Sequence, residues 1–260
     1  MNDTYRYVAI GDSSTEGLDD RAPGRGLRGW SFRLADALAH AHDGLLYANL
    51  AVRGKRTREV RDEQLAPALA MRPDLLSVFA GTNDLLAVRF DAARIAADLE
   101  AMFAAGRAQG ARVLTFTLPD LAPVMPLARP LAPRVRALAA EVRAAASRTG
   151  VTLVDLAAYE VAVDPRLWSA DRIHANAAGH ARIAAALAHA LALPSSDDTW
   201  RTPLPLMRAS TTLERASEEW RWICGHLLPW IAAGLAGRRT SDRRQPRRPA
   251  LREWSGHEDE

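Results

Sequence analysis

One cysteine, Cys224, and one lysine, Lys55, occur among the 260 residues. A lone cysteine excludes an intrachain disulfide framework and a cysteine-built zinc site. With lysine nearly absent, arginine carries the positive charge and crowds towards the C-terminus. The net charge of +3 and the pI near 9.5 therefore do not form the basic stripe, interleaved with aromatics, that nucleic-acid binding requires. No uninterrupted apolar run reaches the roughly 18 residues of a membrane-spanning helix. Met1-Asn2-Asp3-Thr4 leads straight into an apolar run, with no basic segment or small-residue cleavage site, so the expected setting is cytoplasmic. A G-x-S-x-G elbow is missing too, which disfavours the other common α/β-hydrolase plan. No metal-ligand cluster stands out, and the expected chemistry uses no cofactor and no metal.

What is present is alternation. Hydrophobic residues make up 48% of the chain, enough for a substantial core. Short β-rich runs at residues 5–10, 45–50, 75–80, 112–118 and 151–155 are separated by helical patterns at 30–41, 57–70, 91–109 and 132–147, with 176–192 closing the series. That order predicts an α/β protein, with a parallel five-stranded sheet between two helical layers. In such sheets, ligands gather beyond the C-terminal ends of the strands. Residues 1–193 are expected to form this domain and 194–237 a linker with a Trp-rich helical extension. Its residues Leu213, Ala216, Trp220, Ile223, Leu227 and Ile231 recur at helical spacing, and Pro229 should kink or end the helix. Residues 238–260, rich in arginine and proline, read as a disordered tail.

Four segments fall at strand ends or before the last helix: Gly11-Asp12-Ser13-Ser14, Asn49 to Gly54, Gly81-Thr82-Asn83-Asp84 and Asp171-Arg172-Ile173-His174. A serine hydroxyl attacks an acyl carbon only beside a base that takes its proton, and Ser13 is the candidate nucleophile. Asp171, three residues before His174, is placed to orient the imidazole so that its other nitrogen accepts that proton. The oxyanion needs preorganised donors, which the Ser13 and Gly54 N–H groups and the Asn83 amide can supply. Taken singly, each segment is equally a turn or a helix cap. His40, His42, His180 and His189 have no such partner and read as ordinary helix residues. Gly24-Arg25-Gly26-Leu27-Arg28-Gly29 has the spacing of a dinucleotide fingerprint but follows no strand, so it reads as a loop.

Over about residues 5–192, these four blocks resemble the SGNH, or GDSL, hydrolase superfamily. The resemblance implies a flavodoxin-like three-layer α/β/α sandwich and a serine esterase. It makes Ser13 the nucleophile and first oxyanion donor, Gly54 and Asn83 the other donors, His174 the base and Asp171 its orienter. Ser14 departs from the motif's leucine, and the C-terminal extension has no counterpart in the minimal domain.

The expected partner is a small-molecule ester, with a preference for short acyl chains because no long apolar tunnel is evident. Leu85, Leu86, Val88 and the run 119–133 are placed to wall the pocket. Two other readings stay open: an acyltransferase using the same site, and a non-catalytic binding module. In the latter the Trp-rich helix docks on a membrane surface or another subunit, whereas its packing back onto the domain is the plainer expectation.

Overall fold

The computed structural model describes residues 4–22, 26–206, 211–229, 232 and 244–256. Five strands run parallel: β1 (Tyr5–Gly11), β4 (Leu45–Asn49), β5 (Leu75–Phe79), β6 (Arg112–Phe116) and β7 (Thr152–Val154). Between the first two, β2 (Arg21–Ala22) and β3 (Gly26–Leu27) pair as a separate antiparallel ribbon. This ribbon occupies the ends of the fingerprint-like loop, whose Gly24 and Arg25 lie outside the described residues.

The sheet order is β7-β6-β5-β1-β4-β8. The sixth member, β8 (Arg248–Glu253), pairs antiparallel with β4. The five expected parallel strands are all present, and β8, from residues read as a disordered tail, adds a sixth that makes the sheet mixed. An edge strand needs only one hydrogen-bonded side, so its charges can face solvent and Pro249 can lack its N–H without breaking the ladder. Trp254, just beyond it, anchors the strand. Its ring meets Phe32 and Tyr47 edge-on at 4.4 and 5.3 Å between centroids, and its indole N–H donates to Asp36.

Alternation along β1 sorts the core into two layers, because successive side chains point to opposite faces. Tyr7 and Ala9 join Trp30, Leu34 and Leu38 of α2 (Gly29–Ala41) and Leu187 of α7 (Ala177–Ala190) on one face. Val8 and Ile10 join the other, with Val60 of α3 (Thr57–Ala70), Leu99 and Phe103 of α5 (Ala92–Ala108), and Leu138 of α6 (Ala132–Thr149). Because β1 sits between β4 and β5, successive crossovers leave it in opposite directions. The loops after these three strands therefore part around a crevice at their C-terminal ends, the usual ligand position in such folds. Single-turn helices α1 (Ser13–Glu16) and α4 (Thr82–Leu85) follow β1 and β5 there.

Beyond the domain, α8 (Thr212–Trp222) begins with a capping box between Thr211 and Glu214. A π-type turn, Ile223–Leu227, follows it. Helix resumes at Leu228 and Pro229, so among the described residues the helix does not end at the proline. Trp230 and Ile231 lie outside the described residues. Among the described residues, no helix is long and apolar enough to cross a membrane.

Candidate active site

Gly11 starts the site by allowing a backbone approach that a side chain forbids. Its φ is +157°, and a Cβ there would lie 2.3 Å from both the Phe79 carbonyl oxygen and Thr15 Oγ1. Buried Gln64 grips this residue from both sides, accepting from its N–H at 2.8 Å and donating to its carbonyl at 3.0 Å. Asp12 then caps α1 by accepting the Ser14 N–H at 3.1 Å. The capping and functional readings of this motif are thus compatible: the cap sets where Ser13 points.

Ser13 Oγ lies 2.8 Å from His174 Nε2, and His174 Nδ1 lies 2.6 Å from Asp171 Oδ2. The carboxylate can only accept from Nδ1, so Nε2 is left to receive the serine proton. The second Asp171 oxygen is also fixed. It accepts the Ile173 and His174 N–H groups at 2.9 and 3.0 Å and the Ser169 hydroxyl at 2.6 Å. Asn176 secures the loop's other end by capping α7 and donating to the carbonyls of Arg166 and Trp168. Residues 161 positions apart in the chain therefore meet through two rigid turns.

Electrostatics follow from this packing. Burial pushes the His174 imidazole down, but the hydrogen bond and charge of Asp171, assisted by Asp19 and Asp12, outweigh it and raise its pKa above 6.5. Burial likewise disfavours ionised Asp171, yet its bonds to His174 and neighbouring donors hold it well below the usual carboxylate range. Asp12 is different. Fully buried, it is pushed up to about 7 despite the Ser14 N–H. Asp19, Asp171 and His174 bring three ligand atoms within 4.8 Å of one another. Within that group, Asp171 and His174 are already joined to each other through Nδ1.

Asn83 and Gly54 lie on neighbouring loops. The Asn83 amide donates to the Lys55 carbonyl at 3.0 Å and faces Asp12 Oδ2 at the longer distance of 3.4 Å. Gly54, immediately before Lys55, has a positive φ of 78°. Buried polar contacts unseen in the sequence hold both loops. Glu16 accepts from the Arg53 backbone and guanidinium, and Asp84 accepts from the N–H and hydroxyl of Thr57 at 2.9 Å each. Opposite charge is a signal only for Glu16 and Arg53 and does not reveal a partner 37 residues away, while neutral Thr57 gives none for Asp84, 27 residues on.

The more surprising support is α8. Buried Trp222 donates its indole N–H to the Asp171 carbonyl at 3.1 Å, and the Arg172 guanidinium lies 5.1 Å from the Trp222 ring centre. Glu219 completes the clasp with a 2.6 Å ion pair to Arg172, whose φ is +61°. The face expected from helical spacing is not the one buried: Leu213 and Trp220 are 81% and 66% exposed, whereas Trp222 is 5% exposed. The helix meets the body at its end, over one loop, so no continuous apolar stripe is needed.

A cavity of about 60 Å³ opens beside Ser13 and His174, with Phe79, Phe116, Leu118, Leu156 and Trp200 among its walls. Of the expected wall residues, Pro119 takes part. Leu85 is instead in the core and Val88 is almost fully exposed. His180 is no ordinary helix residue. It is fully buried, accepting the Trp30 N–H through Nδ1 and donating to the Leu18 carbonyl through Nε2.

A mostly parallel α/β sheet thus carries a serine, an imidazole and a carboxylate joined by hydrogen bonds at its rim. The chain matches the GDSL-like Lipase/Acylhydrolase family over residues 9–182 and belongs to that family. Its fold is similar to that of a catalytic mutant of Axe2, an acetylxylan esterase from Geobacillus stearothermophilus. The TM-score is 0.61 at 19% identity, covering 76% of this chain and 100% of that one. TesA gives a TM-score of 0.60 at 22% identity, covering 72% and 97% of the two chains. A putative GDSL-like lipase from Parabacteroides merdae gives 0.62 at 18% identity, covering 74% and 97%. No curated protein sequence matches the chain.

Proposed function

We propose that the chain is a serine carboxylesterase in which Ser13 is the nucleophile, His174 the general base and Asp171 its orienter. The observation that carries this reading is the unbroken pair of hydrogen bonds from Ser13 through His174 to Asp171. As Ser13 Oγ attacks the acyl carbon, its proton passes to His174 Nε2 and the carbonyl electrons move onto oxygen. His174 then returns the proton to the departing alcohol, leaving an acyl-serine. Water, deprotonated by the same imidazole, attacks that ester and releases the acid with Ser13 restored.

Three donors fit the oxyanion in this scheme: the N–H groups of Ser13 and Gly54 and one Asn83 amide hydrogen. Asn83 has two such hydrogens. One fixes the amide on the Lys55 carbonyl, and the other, held only loosely by Asp12, is available to a stronger acceptor. A cytoplasmic setting is part of this reading and accords with the single, exposed Cys224. A fluorophosphonate probe tests the assignment. Wild type should be labelled and Ser13→Ala should not, while a folded wild-type protein that resists labelling would defeat the proposal.

A further inference from the structure

The cavity at Ser13 has a direction. Ser13 follows β1, whereas Phe79 ends β5, Phe116 ends β6 and Leu156 follows β7, so these walls cross the strand ends in the sheet's own order, away from the nucleophile. Trp200 lines the cavity as well, 8% exposed and set edge-on against Tyr159, which follows β7, with ring centres 4.7 Å apart. Arg182 also lines the cavity, but its guanidinium is bound to the carbonyls of Trp200 and Thr202 and so braces that wall. Apolar groups dominate the walls between Ser13 and Trp200, with Ser14 and Thr82 beside the nucleophile and the buried Trp200 indole N–H without a partner. Such walls suit an unbranched neutral chain.

Size sets how long that chain is. A single water-sized group needs roughly 10–15 Å³ of such space. The cavity's 60 Å³ therefore has room for only a handful of such groups. We infer that this is an acyl-chain pocket, closed by Trp200, that selects linear acyl groups of about four to six carbons over acetyl and over long fatty acyl chains. The inference rests on Ser13 being the nucleophile. The acyl part is the occupant because it stays bonded to Ser13 until water arrives, whereas an alcohol must leave promptly and a closed pocket would retain it.

The consequence is that residues outside the family-matched segment, which ends at 182, set chain-length specificity. Each methylene taken into an apolar wall should raise kcat/KM by roughly fourfold. Over p-nitrophenyl esters from acetyl to dodecanoyl, wild-type kcat/KM should climb at least tenfold from acetyl to a maximum at butanoyl to hexanoyl and then fall. Trp200→Ala should move the maximum longer by two or more carbons, and the milder Trp200→Leu should move it less. Both variants should keep the wild-type circular dichroism spectrum, and labelling by a small fluorophosphonate reports that Ser13 still reacts in each.

A labelled wild type with its maximum at acetyl, or a maximum unmoved in both labelled variants, overturns the pocket while leaving the nucleophile intact. Absence of labelling in folded wild type overturns the nucleophile and the pocket together. An ester series with acetyl fixed and the alcohol lengthened should be nearly flat, and a steep rise there would make the alcohol the occupant instead.

Discussion

The α/β body and the segment after residue 193 build one site by different physics. In the body, loops that follow strands carry Ser13, Gly54 and Asn83, and the turn before α7 brings Asp171 and His174 to the same rim. In the later segment, three tryptophans act as separate anchors: Trp200 lines the cavity, Trp222 clasps the Asp171 loop, and Trp254 pins the edge strand. Function placed by topology fails outright when one residue is lost. Function tuned by anchors should degrade by degrees, and each anchor should affect a different observable.

The sharpest contrast comes from removing His174. His174→Ala takes away the proposed base and should lower ester turnover by at least ~10³-fold while the protein stays folded, as judged by circular dichroism. A variant retaining a tenth of wild-type activity would break the distinction at its strongest point. Next in size is Trp254→Ala, which removes two ring contacts and a hydrogen bond at the sheet's edge. Because Trp254 is only partly buried, the loss should be about 2 kcal/mol, below the usual range for a core tryptophan. Denaturant melts would show it, whereas kcat per labelled serine should be unchanged.

Trp222→Ala sits between the two regions. It loses the hydrogen bond to the Asp171 carbonyl and releases Arg172, so the loop carrying Asp171 and His174 can relax. The expected result is a fall in kcat of about tenfold with KM within twofold, since a misplaced base weakens the transition state more than substrate binding. If KM rose and kcat held, α8 would be a substrate-binding element and the anchor view of this helix would fail.

The sequence made the body legible because its signals are local. Short β-rich runs marked the strands, helical spacing such as Ile95, Leu99 and Met102 marked the buried faces, and all three of these residues are buried. Ser13, Asp171 and His174 were findable because strand-end and helix-start positions fix where side chains emerge. The later segment resisted the same reading. A single docking point leaves no periodicity, so Trp222 was hidden while the exposed Trp220 and Leu213 mimicked a buried stripe. β8 was hidden because an edge strand with one solvent side tolerates arginine and proline, residues that otherwise signal disorder.

The finest test compares two histidines six positions apart within the body. His174 gains a carboxylate partner, and its pKa rises above 6.5. His180 is buried against backbone groups, and desolvation drives it down to about 4, since a proton on Nδ1 would also oppose the Trp30 N–H it accepts. Activity requires neutral His174, so kcat/KM should fall as pH drops through a value above 6.5. Stability through His180 is fully present above pH 6.5, where both folded and unfolded chains are neutral there, and is lost as pH falls towards 4, because the unfolded chain takes up the proton first. Between pH 7 and 5.5 that loss is about 1 kcal/mol. His180→Gln should reduce the acid sensitivity of the melting temperature but leave the acid limb of kcat/KM in place. Movement of that limb in His180→Gln would mean that the structural and catalytic imidazoles titrate as one system, and the separation of roles within the body would not stand.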